Sequence, residues 1–311
     1  MSEHKLPTTL QEAIRYFADN QRCLDFIVAL RWPQGPVCPR CQSHEHRFLK
    51  TRSIWECKSC QKQYSVKVGT IFEDSPIKLD KWICAMWMMV NAKNGVSSYE
   101  IHRSLGVTQK TAWFMMHRIR LALQNGSIDR KLMGDVEVDE TYIGGQARNM
   151  HKDRQIKMKR VEGFYRKAVV IGMLERKGEV RTAVLNRAST KLIEKAVKEH
   201  VVPGSNLFSD EANAYVKVGK EYAHQVINHA ETYVRGNVHT NSIENYWSLL
   251  KRGIKGTYVS VEPFHLFRYL DEQSFRFNTR KDNDQGRFMT ALSQISGKRV
   301  QYLDLIGQTP I

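Results

Sequence analysis

Three acidic residues occupy positions from which carboxylates on separate elements can meet. Asp139 lies in an alternating segment typical of a strand, Asp210 ends a short apolar strand, and Glu244 lies in a helical segment. Carboxylates that converge without a counter-ion repel one another, so they either take up protons or hold hard divalent cations such as Mg²⁺ or Mn²⁺. The three positions therefore predict a divalent-metal site.

Alternation alone does not single out Asp139. Asp135 and Glu137 share its face of the strand, so an assignment shifted by two residues stays open at this point. An isolated acid at a strand end is also more often a cap or a surface group than a metal ligand. The choice of Asp139 therefore needs a second source of information.

Four of the six cysteines form a second constellation, as two Cys-x-x-Cys pairs separated by fifteen residues. Each pair can direct two sulfurs at one ion, and the spacing is typical of a four-thiolate zinc site. Four thiolates fill a tetrahedral ion, so the predicted zinc is structural. Two disulfides are the alternative, which an intracellular chain disfavours. The predicted ligands are Cys38, Cys41, Cys57 and Cys60.

The segment from Lys81 to about Leu123 has helical periodicity. Gly106 separates two short helices in the order typical of a helix-turn-helix, and Thr108 is the predicted cap of the second helix. The exposed start of that helix would present side chains to DNA bases or phosphates, with an arginine farther along. A plain helical hairpin is the alternative. The candidate DNA contacts are Gln109, Lys110, Thr111 and Arg118.

Beyond residue 126 the pattern changes to strands and helices in mixed order, which predicts an α/β domain with a mixed sheet. The helix that carries Glu244 has an apolar face that includes Ile243, Trp247 and Leu250, and this face is predicted to pack on the sheet. The predicted strands lie around 135–139, 167–174, 181–185 and 206–209, and the predicted helices span 189–198, 240–254 and 263–277.

The composition points to a globular protein with a polyanionic partner. The chain has 311 residues with 48 Lys and Arg against 32 Asp and Glu, a net charge of +16. That excess favours nucleic acid as the partner. The longest apolar run, Trp82 to Val90, is far shorter than the roughly 20 residues that cross a bilayer, so no membrane partner and a cytoplasmic location are predicted.

A basic segment from Gln146 to Lys167 separates the first two predicted strands of the α/β domain. It has eight basic residues against two acidic ones, a local charge of +6. Such a segment can clamp DNA phosphates electrostatically, and a merely solvated loop is the alternative. The candidate DNA contacts in this segment are Arg148, Lys152, Arg154, Lys157, Lys159 and Arg160.

Three motifs carry a resemblance to a known family. They are Val138 to Gly145, Phe208 to Ala212, and His239 to Trp247 running into Lys251-Arg252-Gly253. In these motifs the chain resembles the insertion-sequence transposases of bacteria that have an N-terminal zinc ribbon, relatives of the eukaryotic Merlin transposons. The resemblance extends from the ribbon to about residue 280.

The resemblance implies a ribonuclease-H-like catalytic domain in which three acids hold two metal ions, Mg²⁺ or Mn²⁺. Asp139 and Asp210 carry over as the first two acids. Glu244 is similar to the third, with a lysine seven positions downstream at Lys251. Because the family varies at the third position, Asn241 and Glu231 are the substitutes to test.

The resemblance also implies an activity and partners. The protein would cleave the ends of a transposon and join them to target DNA by two-metal chemistry, as a homodimer or larger assembly on double-stranded DNA in the nucleoid. Lys251 and Arg252 would contact DNA phosphates. Two alternatives remain open, a DNA-binding regulator without catalysis and a stand-alone metal-dependent nuclease.

The sequence therefore predicts four parts. They are an N-terminal helix with the zinc ribbon (1–72), a helix-turn-helix DNA-binding domain (73–130), a ribonuclease-H-like catalytic domain (131–280) and a C-terminal tail (281–311).

Overall fold

The computed structural model describes residues 6–124, 130–144, 152–153, 167–210, 221–227 and 239–307. Its strands are β1 (His46–Leu49), β2 (Ile54–Cys57), β3 (Gln63–Tyr64), β4 (Asp135–Ile143), β5 (Ala168–Glu175), β6 (Val180–Leu185), β7 (Asn206–Asp210) and β8 (Ala223–Ile227). Its helices are α1 (Leu10–Tyr16), α2 (Asn20–Arg31), α3 (Leu79–Asn91), α4 (Ser98–Leu105), α5 (Gln109–Ala122), α6 (Thr190–His200), α7 (Asn241–Gly253), α8 (Leu266–Asn278), α9 (Asp284–Ser293) and α10 (Tyr302–Leu305). Among these described helices, none has both the length and the apolar character that a bilayer-spanning segment needs.

The chain divides into two compact units, one made of residues 1–124 and 279–311 and the other of residues 125–278. The first unit contains a three-stranded antiparallel sheet in the order β1-β2-β3. The second contains a five-stranded sheet in the order β6-β5-β4-β7-β8. The zinc-ribbon cysteines fall in the first unit and the three candidate acids in the second.

The two helices predicted around Gly106 are present as α4 and α5, and both begin at side-chain caps, of which Thr108 is the one predicted above. Ser97 Oγ accepts a hydrogen bond from the N–H of Glu100, whose carboxylate accepts one from the N–H of Ser97. Thr108 Oγ1 accepts a hydrogen bond from the N–H of Thr111 at 3.1 Å. Gly106 ends α4 with a φ of 58°, a conformation that glycine adopts at little cost.

The core of the first unit is built around α3, against which α9 packs. Trp87 of α3 is 1% exposed, and its ring centroid lies 4.8 Å from that of Phe288 in α9. Farther along, the Nζ of Lys298 donates a hydrogen bond to the carbonyl oxygen of Ala122 at the end of α5, at 3.1 Å. The residues that the sequence sets apart as a tail, 281–311, thus lie within the first unit over their described part.

The sheet of the second unit is mixed, as the sequence predicts. β4, β5 and β6 are antiparallel neighbours, whereas β4, β7 and β8 run parallel. Val138 of β4 packs in one apolar cluster with Ile193 and Val197 of α6. Val170 of β5 packs with Trp247 of α7 in a second cluster. The two helices therefore cover opposite faces of the sheet, and the predicted packing of the helix that carries Glu244 is confirmed.

Candidate active site and zinc site

The first two candidate acids lie on neighbouring parallel strands in the sheet of the second unit. β4 and β7 pair with Glu137 opposite Phe208. Asp139 and Asp210 each lie two residues beyond this last pair of the parallel ladder. Paired strands lie about 4.8 Å apart, so both acidic positions are near the point where the ladder ends. The side chain of Asp210 is outside the described part of the chain.

The carboxylate of Asp139 is held by two N–H groups. The indole Nε1 of Trp247 donates a hydrogen bond to Oδ2 at 2.9 Å, and the backbone N–H of Glu140 donates one to Oδ1 at 2.8 Å. Gly172, opposite Asp139 on β5, leaves the space that the indole fills, since a Cβ at this position would come within 2.6 Å of the ring. The position of α7 on the sheet therefore orients Asp139.

Glu137, two residues before Asp139, is fully buried and has four partners. Its Oε1 lies 3.0 Å from Nε of Arg176 and 3.3 Å from Nδ1 of His239. Its Oε2 accepts hydrogen bonds from the N–H groups of Ser242 and the next residue, at 2.9 and 3.0 Å. These N–H groups lie in the first turn of α7, where the helix dipole favours a negative charge. Glu137 thus anchors the start of α7 to the sheet.

Asp135, the other acid on this face of β4, also has structural partners. Its Oδ1 accepts a hydrogen bond from the side-chain amide of Asn206 at 2.7 Å, and its Oδ2 lies 3.9 Å from the guanidinium of Arg176. The two acids that could replace Asp139 by alternation are therefore engaged in holding β4 to its neighbours. This arrangement favours Asp139 over an assignment shifted by two residues.

Glu244 lies in the first turn of α7 and is exposed. It precedes Trp247 by three residues, so it projects from the same side of the helix as the indole that binds Asp139. Its Oε1 accepts a hydrogen bond from the hydroxyl of Thr240 at 3.3 Å. Of the two substitutes for the third acid, Asn241 begins α7 and is exposed, and Glu231 is outside the described residues.

The candidate residues fit a hard divalent cation in their chemistry. All three offer carboxylate oxygens, the donors that Mg²⁺ and Mn²⁺ prefer. Asp139 and Asp210 belong to the adjacent parallel strands β4 and β7, and Glu244 belongs to α7, whose Trp247 contacts Asp139. An ion between these elements would neutralise charges that otherwise repel one another.

Replacing Glu137 with leucine is expected to lower the free energy of unfolding by about 3–5 kcal/mol, because the buried guanidinium of Arg176 loses this carboxylate and α7 loses its N-terminal anion. Urea unfolding measures the change. Glu199→Leu is the matched control, since it removes the exposed ion pair with Lys195 and should have little effect. Equal changes in the two variants would contradict the anchoring role of Glu137.

The four cysteines of the first unit are arranged as a tetrahedral zinc site requires. Their Sγ atoms all lie within 4.8 Å of one another, and the distances are 3.7 Å between Cys38 and Cys60 and 3.5 Å between Cys41 and Cys57. Zinc bound at about 2.3 Å would separate its sulfurs by about 3.8 Å. The sulfurs are too far apart for disulfides, which excludes that alternative. The cluster is suited to one structural zinc ion.

Two matching turns place these sulfurs. After each Cys-x-x-Cys pair a glutamine adopts a left-handed conformation, with φ of 60° at Gln42 and 58° at Gln61. The N–H of each glutamine donates a hydrogen bond to the carbonyl oxygen of the first cysteine in its pair. Backbone N–H groups, above all that of Cys60, also lower the pKa of Cys57 to about 6. The second turn therefore favours the thiolate that binds metal.

The first turn of α5 carries three of the candidate DNA contacts, and each has a partner within its unit. Gln109 donates a hydrogen bond to Oγ of Ser98 at 2.9 Å. The Nζ of Lys110 lies 4.6 Å from the ring centroid of Tyr302, a cation–π distance. The hydroxyl of Thr111 lies 2.8 Å from that of the capping threonine. Lys110 is exposed despite the contact, so it keeps access to a phosphate.

Arg118 is a correction to the expected DNA-binding set. Its side chain is turned into the first unit, where the residue is 3% exposed and burial lowers its pKa. The guanidinium donates a hydrogen bond to the carbonyl oxygen of Glu73 and lies 5.6 Å from a ring centroid of Trp82. A long aliphatic stem lets arginine pack in this way, so a basic residue on a helix need not be solvated. Arg118 is therefore not placed to contact DNA.

The other basic candidates belong to the second unit. Lys251 and Arg252, in the last turn of α7, are exposed and available to phosphates. In the basic segment between β4 and β5, Lys152 is described and exposed. The remaining candidates of that segment lie outside the described residues, namely Arg148, Arg154, Lys157, Lys159 and Arg160.

The sequence analysis did not identify Trp247 and Gly172 as the two residues that position Asp139. Trp247 is predicted as a core residue from its periodicity, which says nothing about where the indole N–H points. Gly172 offered a usable signal, because an isolated glycine inside an apolar strand often marks a close approach by another group. The signal indicates crowding at that position without identifying the ring that causes it.

The order of the five strands, with three antiparallel strands followed by two parallel ones, defines a ribonuclease-H-like domain. Comparison with known families gives two matches. Residues 131–278 match the ISXO2-like transposase domain, and residues 18–63 match the transposase zinc-ribbon domain. The chain therefore contains the two domains that these models describe, a transposase zinc ribbon and an ISXO2-like transposase domain.

One relative comes from an archaeon. The uncharacterized protein in transposable element ISH50 of Halobacterium salinarum is 23% identical to this chain over 252 residues. The matched region is 77% of this chain and 84% of the relative. The matched region is therefore longer than the ISXO2-like domain alone, which spans residues 131–278.

Proposed function

We propose that this transposase binds the terminal inverted repeats of an insertion sequence, cleaves DNA strands at the element's ends and joins them to a target. The observation that supports the proposal is the parallel pairing of β4 and β7, which ends two residues before Asp139 and Asp210 and would bring the two acids close together. Glu244, on the helix that contacts Asp139, supplies the third carboxylate. Lys251 and Arg252 contact phosphates.

The three carboxylates would hold two divalent cations, which supply the chemistry by lowering the pKa of the attacking hydroxyl and stabilising the departing oxygen. In hydrolysis, a water oxygen bonds to phosphorus as the bond to the 3′-oxygen breaks, which frees a 3′-hydroxyl. In strand transfer, that hydroxyl attacks a target phosphate and displaces the target's 3′-oxygen. Trp247 keeps Asp139 in one orientation throughout.

We assign end recognition to the zinc ribbon and to α4 and α5, with Gln109, Lys110 and Thr111 at the contact. The net charge of +16 supports binding to DNA phosphates. Two ends must be brought together for transposition, so the working form is a homodimer or larger assembly. The site of action is the nucleoid in the cytoplasm.

The experiment incubates the purified protein with labelled duplexes of the element's own ends and Mg²⁺, and maps the nicks and joined products. A transposase gives a nick at the element's boundary and covalent joining to a supercoiled plasmid. A stand-alone nuclease gives nicks without joining. A regulator binds the ends and leaves both strands intact, an outcome that would overturn the proposed chemistry.

Removing the indole N–H that binds Asp139 is expected to weaken Mn²⁺ binding and to slow cleavage by about 10- to 100-fold, because the carboxylate loses its fixed orientation. Trp247→Phe keeps an aromatic ring in place. Tyr246→Phe is the matched control, since it deletes the neighbouring hydrogen bond to Ser274, at 3.0 Å, away from Asp139. Calorimetric titration with Mn²⁺ compares the two. Equal affinities would contradict the role of Trp247.

A further inference from the structure

An exposed, strained turn follows the last turn of α7 in the second unit. Val259 has φ of 61° and ψ of −53°, and the N–H of Ser260 donates a hydrogen bond to the carbonyl oxygen of Tyr258 at 2.6 Å. This is a γ-turn of the rare positive-φ form. A β-branched residue is disfavoured in this conformation, for which glycine is the natural choice. The valine side chain is nevertheless 77% exposed, so the strain is not offset by burial in the core.

Buried hydrogen bonds and an aromatic contact hold Tyr258, the residue that precedes Val259 in the turn. The hydroxyl of Tyr258 donates a hydrogen bond to the carboxylate of Glu272, which also binds Arg276. The ring of Tyr258 lies edge-on to Tyr269, with centroids 4.8 Å apart. Glu272 is completely buried. Strained conformations persist where the surroundings impose them, and they occur often at ligand clamps.

The surface around the turn is basic. Lys251, Arg252 and Lys255 are all exposed, and between Lys251 and Glu262 the sequence has three basic residues against one acid. A rigid apolar side chain on a basic surface is suited to binding double-stranded DNA. The basic residues contact the phosphates, and the apolar side chain inserts between two stacked base pairs. The turn lies twelve residues after Trp247, from which it is separated by the end of α7 and one π-helical turn, Ile254–Tyr258.

We propose that Val259 inserts into the DNA of the transposon end and partly unstacks a base step near the cleaved phosphate. Lys251, Arg252 and Lys255 bind the phosphates on either side. This inference rests on the proposed function and adds to it a site at which the end is deformed. The strain at Val259 is then the cost of presenting a β-branched, inflexible side chain to the bases.

The test uses Val259→Gly, because glycine adopts the same backbone conformation without strain and removes only the side chain. End duplexes carry 2-aminopurine at successive positions up to eight base pairs from the boundary. Wild-type protein is expected to raise the fluorescence at one step. Val259→Gly is expected to abolish that rise and slow cleavage about tenfold, while its Tm stays equal or increases. Val259→Leu keeps an apolar side chain and should preserve the signal.

Val202→Gly serves as the control, since it deletes another exposed valine of the same unit and should leave the fluorescence unchanged. Asp139→Asn should keep the fluorescence rise, because insertion precedes chemistry. Wild-type protein that binds the ends without any rise, or Val259→Gly that keeps the rise and the cleavage rate, overturns the insertion while the proposed function stands. Protein that does not bind the element's ends at all overturns both.

Discussion

Asparagine at position 139 is expected to slow end cleavage by about a thousandfold or more while DNA binding and folding are kept. Asp139→Asn preserves the shape of the side chain and keeps one acceptor oxygen, which can accept from the indole N–H of Trp247, while its NH2 group replaces the oxygen that accepts from the N–H of Glu140. It removes the negative charge that would hold a divalent cation. Single-turnover cleavage of labelled ends measures the rate, and gel shift measures binding.

Asp135→Asn is the control for this experiment, because Asp135 lies on the same face of β4 but is engaged with Asn206. Its cleavage rate should stay within a few-fold of the wild-type rate. A normal cleavage rate for Asp139→Asn together with a large loss of cleavage in Asp135→Asn would transfer the assignment to Asp135, four residues earlier on the same face of β4. Asp210→Asn should behave as Asp139→Asn does, since the two acids belong to adjacent parallel strands.

The same assay decides the third ligand. Glu244→Gln should slow cleavage about as much as Asp139→Asn, because it also removes one negative charge from the proposed site. Asn241→Ala tests the substitute that begins α7. If Asn241→Ala cleaves much more slowly while Glu244→Gln cleaves at the normal rate, Asn241 rather than Glu244 is the third metal ligand.

Removal of one ribbon cysteine is the second change with a large expected effect. Cys57→Ser should reduce bound zinc from about one ion per chain to none and unfold the ribbon, since a structural zinc contributes about 10 kcal/mol or more to folding in small domains. Cys57 is completely buried, so the serine hydroxyl gains no hydration in compensation. Metal analysis gives the zinc content, and limited trypsin digestion reports unfolding of residues 38–60.

Cys84→Ser is the matched control for the zinc experiment. Burial raises the pKa of Cys84 to about 11, so this residue is a thiol rather than a metal-binding thiolate, and it lies in α3 outside the ribbon. The variant should retain zinc and resist trypsin at the ribbon. Wild-type protein without zinc, or Cys57→Ser with a full zinc content, would contradict the site.

Much of the fold was predictable because its signals are local. The caps at Ser97 and Thr108 set the starts of α4 and α5, and the two Cys-x-x-Cys pairs fixed the ribbon. Alternation in β4 and the apolar face of α7 correctly indicated a sheet covered by that helix. Each of these patterns extends over a few neighbouring residues.

The rest depends on partners far away in the sequence. Glu137 and Asp139 lie on the same face of β4. Glu137 is a structural anchor because it contacts Arg176 and the first turn of α7, and neither contact can be read from the sequence around β4. The burial of Arg118 is set by Glu73, 45 residues earlier, whereas its neighbours in α5 say only that a basic residue lies on a helix. Periodicity identifies one face of a helix or strand but not the residues that pack against that face. For this reason Arg118 was wrongly predicted to contact DNA.

Because α9 packs onto α3, the first unit can complete its folding only after α9 has been synthesised. Trp87 leaves the ribosome roughly 200 residues ahead of Phe288, a delay of about 10–40 s at ordinary rates of synthesis. Decayed gene copies that stop before codon 284 therefore encode polypeptides whose tryptophan surface is never covered. We expect such fragments to be degraded rather than to accumulate as competitors for the element's ends.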